Sequence, residues 1–172
     1  DSNFLYFFGI NHPNMAAIID LETGDEVIYG DDYTIDDIVW MGKQPSIAGR
    51  ALECGVTKTA SAARLSGDLH RIKSQRRKVH FLPPYRPENK VKLFELLGIP
   101  PSQQQESTSL EFVKAVIAQR NYKTEEEVAE IEKAVNTTAD MHIAAMKMAR
   151  PGMKEAEISA EVQRIAEAAG GH

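Results

Sequence analysis

The sequence holds one cysteine, Cys54, in 172 residues. No internal disulfide can form, so a reducing, cytoplasmic setting is expected rather than secretion. No apolar run approaches the roughly 18 residues of a membrane helix, and no membrane partner is expected. No secretory or transit signal is visible, although a trimmed chain could have lost one. Positive charge is in the minority: 20 Lys and Arg stand against 25 Asp and Glu, a net charge of −5. That balance argues against nucleic acid as the main partner. Chemistry-bearing motifs are also scarce. There is no GxGxxG, P-loop, HExxH, CxxC or GxSxG. Repeats and low-complexity tracts are absent too. The remainder, 42% apolar and 26% charged, is the composition of a globular protein.

What is present is organised around Arg120 to Gly152. Thr124 and Glu127 have the spacing of a capping box, and Glu125 to Glu127 place negative charge at the positive end of a helix dipole. Pro151 and Gly152 close the helix. Val128, Ile131, Val135, Thr138, His142, Ala145 and Ala149 form a stripe along one side. His142 on this stripe reads as a hydrogen-bonded core residue rather than a ligand. A second helix, Lys154 to Ala169, carries Ile158, Val162 and Ile165 on one face and stops at Gly170-Gly171. Two helices with two apolar stripes bury little unless a third layer covers them. The sequence is therefore expected to be a fragment whose covering layer is missing.

The N-terminal half has a different pattern. Phe4 to Ile10, Met15 to Leu21 and Glu26 to Tyr29 read as three neighbouring strands, the last two antiparallel across a Glu22-Thr23-Gly24-Asp25 hairpin. Ser46 to Cys54, Ser61 to Arg77 and Glu88 to Leu97 read as helices, with a short strand at Val79 to Leu82. Cys54 fits a half-buried helix-end residue. The basic cluster of Arg71, Lys73, Arg76, Arg77 and Lys78 suits the C-terminal end of its helix. The linker runs from Ile99 to Ser107, and Thr108 and Glu111 open a helix over Leu110 to Gln119. The pattern predicts an α/β domain, a mixed sheet flanked by helices, followed by an α-helical segment.

Asp31, Asp32, Asp36 and Asp37 lie just before an Ile38-Val39-Trp40 run. The carboxylates could ligate a hard cation, or open a helix with favourable charge. An EF-hand loop would need a Gly and a terminal Glu that are not there. Trp40, the only Trp, reads either as a core anchor or as an exposed aromatic at an interface or ligand pocket.

Three stretches in order resemble one family. DSNFLYFFGINHP followed by an apolar strand is similar to the D-x-x-Y-L-x-G-x-x-x-P segment of the aminopeptidase P N-terminal domain. DDIVWMG resembles the acidic segment of that domain ending in I-W-x-G. RNYKTEEEV, with the helical His142 and the turn at Arg150-Pro151-Gly152-Met153, resembles the entry to the pita-bread catalytic domain. The chain is thus similar to members of the aminopeptidase P, prolidase and creatinase superfamily, and DSNFLYFFG and VWMG favour aminopeptidase P within it.

The resemblance implies a ribonuclease-H-like domain over residues 1–107, of the creatinase/prolidase N-terminal type, lacking its first strand and helix. It implies a linker helix and opening helical hairpin of an incomplete catalytic domain over 108–172. The implied reaction releases the N-terminal residue from a peptide with proline in second position. Two divalent ions, manganese in this branch, would activate a bridging water. Their ligands, two Asp, one His and two Glu, would all lie beyond His172, which follows a Gly-Gly helix stop and does not match the metal His. No catalytic or metal residue is therefore expected in this chain, and the chain alone is expected to be inactive. Trp40 is the one implied substrate contact, in trans from a neighbouring protomer, within a homo-oligomer formed through the N-terminal domain. Two other readings stay open: a non-catalytic peptide- or protein-binding member, and a prolidase- or creatinase-type hydrolase.

Overall fold

A computed structural model describes residues 2–171. The chain forms two compact units, Asp1–Leu110 and Glu111–His172.

The first unit is built on a mixed sheet of three short strands, β1 (Ala16–Ile19), β2 (Glu26–Tyr29) and β3 (Lys58–Ala60), in that order. β1 and β2 pair antiparallel with Ala17 opposite Ile28. β2 and β3 pair parallel with Ile28 opposite Thr59. Alternation along β2 gives the sheet two apolar faces. Ile28, with no accessible surface, points into a cluster with Phe8, Ile10, Ile47, Ala51 and Val56. Its neighbour Tyr29 points the other way, against Leu65, Leu69 and Leu97. Helices cover both faces: α1 (Ser2–Phe8) and α3 (Ile47–Glu53) on the first, α4 (Arg64–Ser74) and α5 (Pro87–Leu97) on the second. α2 (Ile35–Met41) leads from β2 to α3. The expected mixed sheet with flanking helices is the observed fold.

Two expected strands are not strands. The aromatic run at Phe4 to Ile10 begins as helix α1. Phe4 and Phe8, one turn apart, bring their rings within 4.9 Å, and Phe8 enters the core. Leu5, Tyr6 and Phe7 remain exposed. A run apolar at every position has no period of two, and the useful spacing here is i,i+4. Gly9, at φ +65°, ends the helix with its N–H on the Leu5 carbonyl. Val79 to Leu82 carries no regular secondary structure, although Val79 and Phe81 pack against the second cluster. β3 lies in a stretch where the sequence signals no strand, because Lys58-Thr59-Ala60 is too short to show alternation.

The expected linker is folded back on its own unit. Gln104 is 1% exposed, and its Nε2 donates to the carbonyls of Lys90 and Ile99 at 2.8 and 3.0 Å. Thr108 Oγ1 donates to the Gln104 carbonyl.

The second unit holds α6 (Leu110–Asn121), α7 (Glu125–Met148) and α8 (Glu155–Ala168). α7 opens on the expected capping box: Thr124 Oγ1 accepts from the Glu127 N–H, and Glu127 Oε2 accepts from the Thr124 N–H. α8 packs along α7 as an antiparallel-sequence hairpin turned at Pro151-Gly152. Neither helix has a buried residue. Val128, Ile131 and Val135 on the expected inner stripe are exposed, Val135 by 58%. His142 is exposed as well, which corrects its reading as a core residue. Of the expected stripe only Ala145 is half-buried; the half-buried residues of the C-terminal part of α7, Met141, Ala144 and Met148, lie beside it on an adjacent face. His172 lies outside the described residues.

Candidate functional site

The one predicted site residue, Trp40, sits on a helix whose position is fixed from below. Gly30 ends β2 and donates its N–H to the Ala60 carbonyl at 3.0 Å. A Cβ there would lie 3.1 Å from Ile47 Cδ1 and 3.5 Å from Met15 Cγ, so the backbone passes close to the Ile47 side chain. The acidic residues that follow act as backbone acceptors. Asp31 Oδ1 accepts from the Ala62 N–H at 3.0 Å, and Asp32 Oδ1 from the Ile47 N–H at 2.6 Å. Asp32 thereby satisfies an orphan donor at the start of α3. Thr34 and Asp37 close a second capping box: Asp37 Oδ2 accepts from the Thr34 N–H and hydroxyl at 2.8 and 2.7 Å, and Thr34 Oγ1 accepts from the Asp37 N–H. The hydroxyl bond first, then the backbone bond, hold the Asp37 carboxyl below the usual carboxylate range.

So three of the four aspartates anchor loop and helix, and Asp36 adds charge to the first turn of α2. No group of three or more His, Cys, Asp or Glu able to hold a metal ion exists among the described residues. The resemblance places the ligands of its two-ion centre beyond His172, and the described residues do not fit that centre.

α2 has no buried residue. Ile35, Val39, Trp40 and Met41 are all strongly exposed, Trp40 by 86%. This overturns the reading of Trp40 as a core anchor. Gly42, at φ +72°, ends the helix with its N–H on the Ile38 carbonyl. Gln44 Nε2 then donates to the Met41 carbonyl at 3.1 Å. The result is an apolar platform of about two turns, capped at both ends, with an indole at its tip.

The other candidates are placed apart from this platform. Cys54 is half-buried at the end of α3, its thiol donating to the Ala51 carbonyl at 3.1 Å, as expected of a helix-end residue. In the basic cluster, Arg71 pairs with Asp68, Lys73 donates to the Leu97 carbonyl, and Arg77 makes a two-pronged bond to Asp20. Sequence reasoning missed two of the partners. Asp20 accepts from Arg77 across 57 positions, and Tyr29 donates to Asp68 at 2.9 Å across 39. Only the fold brings these pairs together.

Residues 1–80 match the family model described as aminopeptidase P, N-terminal domain. The resemblance drawn from the motifs holds for this stretch. Solved structures of aminopeptidase P extend the likeness across the chain. That of Pseudomonas aeruginosa aminopeptidase PepP is 22% identical, with a TM-score of 0.74, over 99% of this chain and 40% of its own. Zinc-substituted E. coli aminopeptidase P in complex with product is 20% identical, with a TM-score of 0.73 and the same coverage. At this identity the likeness is one of fold. It includes the helical segment after the sheet domain, which matches the start of the catalytic domain. The chain spans 40% of the length of the solved structures it matches. No curated protein matches the sequence.

Proposed function

We propose that this chain is the N-terminal domain and opening catalytic helices of a proline-specific metallo-aminopeptidase, which removes the residue preceding a penultimate proline. The observation that supports it is the coincidence of the family match over residues 1–80 with an aminopeptidase P fold over nearly the whole chain. In this reading the metal pair, manganese or another divalent ion, is bound by residues outside the 172 considered, and the chain alone does not hydrolyse peptides. Homo-oligomers form through the N-terminal domain, and Trp40 crosses to the active site of a neighbouring protomer. An indole that is 86% exposed on a doubly capped helix suits this role. The helix that carries it is capped at both ends, an indole has only two side-chain torsions to order on contact, and its face can stack on a proline ring.

The test is a Trp40→Ala variant of the full-length enzyme. Loss of an aromatic anchor should lower kcat/KM for an Xaa-Pro peptide by about tenfold or more, with the melting temperature unchanged because the side chain touches no core. Unchanged kinetics would remove the role. In mixed oligomers, Trp40→Ala protomers paired with protomers inactivated at the metal centre should recover part of the activity, since each supplies what the other lacks.

A further inference from the structure

The chain leaves the sheet at Gly30, runs through α2 and returns at the start of α3. Three consecutive residues fasten the outgoing limb to three different parts of the fold. Asp31 Oδ1 accepts from the Ala62 N–H, Asp32 Oδ1 accepts from the Ile47 N–H, and the Tyr33 ring lies 5.4 Å from the His12 ring. Only the Asp32 bond closes on α2 alone, because its partner is the first residue of the next helix. It is 2.6 Å long and joins positions 15 apart, one on each side of α2. The returning limb has a lighter brace, Arg50 Nη2 donating to Gln44 Oε1 at 3.3 Å.

A helix of seven residues is too short to persist in water by itself. α2 also buries no residue, so core packing does not hold it. What remains is the Thr34–Asp37 box, the Gly42 cap and the bond that keeps the two feet of the excursion together. A carboxylate on a backbone N–H is among the stronger hydrogen bonds. Closing a loop removes conformational freedom from everything inside it. Trp40 lies inside this one and, being 86% exposed, takes its direction from the helix that carries it. We propose that Asp32 is a positioning residue for Trp40: by holding the Ile47 N–H it keeps α2 folded and aimed, and it affects peptide turnover only through the indole. This rests on the reading of Trp40 as a substrate contact.

Steady-state kinetics of the full-length enzyme on an Xaa-Pro peptide, with amide exchange read on the same proteins, test this. Asp32→Ala should speed exchange at Val39 to Met41 by about fivefold or more, as loss of a helix-end bond does, while β2 stays slow. It should lower kcat/KM by about tenfold, through KM rather than kcat. Asp32→Asn keeps an acceptor oxygen and should restore both. Ser46 Oγ accepts from the Gly49 N–H at 3.1 Å, so Ser46→Ala removes the other cap of α3 and leaves the excursion closed. That variant should lose similar stability with its kinetics unchanged. In a Trp40→Ala background, Asp32→Ala should add no further kinetic loss. The proposal is overturned if Asp32→Ala leaves exchange in α2 unchanged, if Asp32→Asn behaves like the alanine variant, if Ser46→Ala lowers kcat/KM equally, or if the losses from Asp32→Ala and Trp40→Ala add. A silent Trp40→Ala beside faster α2 exchange in Asp32→Ala would strike the substrate role of Trp40, and with it the kinetic half of the proposal, while supporting the tie itself.

Discussion

Asp20 and Arg77 join the β1–β2 hairpin to the end of α4 through two 2.6 Å bonds. Glu22 lies 3.3 Å from the same guanidinium. The Arg77 bond first, with help from the Glu22 and Thr23 N–H groups, holds the Asp20 carboxyl far below the usual carboxylate range. A depressed pKa has a definite sign. The pair contributes fully above the unfolded value near 3.9, and the contribution is lost as pH falls from there toward the folded value. Urea melts at pH 5 and pH 3 should therefore show a loss of stability on acidification that Asp20→Asn reduces. On the alkaline side Tyr29 behaves oppositely. Burial first, then the hydrogen bond to Asp68, push its phenol up to about 12. Above pH ~10 the unfolded phenol ionises first, so stability should fall with rising pH. Tyr29→Phe should flatten that fall in melts at pH 9 and pH 11. Ile28 has no accessible surface and sits in the apolar cluster of the first sheet face. Ile28→Ala should cost about 2–5 kcal/mol by chemical denaturation.

Among the elements, α2, α7 and α8 bury no residue, and α2 and α7 each open on a Thr-led capping box. Thr34→Ala should destabilise α2 by about 1 kcal/mol, seen as faster amide exchange at Asp37 and Ile38 while exchange in β2 stays slow. The α7 cap was legible in the sequence because a capping box is a local event over four residues, whereas at α2 only the helix-start charge of the aspartates was read and not the Thr34–Asp37 box. The helix end at Pro151-Gly152 was legible for the same reason. Strands fared differently. β2 was readable from Glu26 to Tyr29, but the Phe4 to Ile10 run was misassigned because saturated apolarity carries no period. β3 was missed because its three residues are strand only by pairing with β2. At the candidate site the sequence pointed to Trp40 and the acidic residues. It did not reveal that Asp31 and Asp32 face the N–H groups of Ala62 and Ile47, since those partners are 31 and 15 positions away.

For the whole molecule, the apolar surface left outside is the main physical fact. α2 exposes Ile35, Val39, Trp40 and Met41, and α7 exposes Val128, Ile131 and Val135. Contiguous patches of this kind on a soluble protein mark surfaces meant for contact. Prepared as these 172 residues, the protein should therefore self-associate with rising concentration in sedimentation velocity. Val135→Lys should shift it toward monomer without changing its circular dichroism. The same surfaces are what the peptidase reading requires, one meeting another protomer and the other meeting the rest of a catalytic domain. The most direct measurement is a steady-state assay of the full-length protein, supplied with manganese, on matched peptides carrying proline or alanine in second position. The account predicts release of the first residue from the proline peptide only. Equal release from both, or none from either, would contradict it.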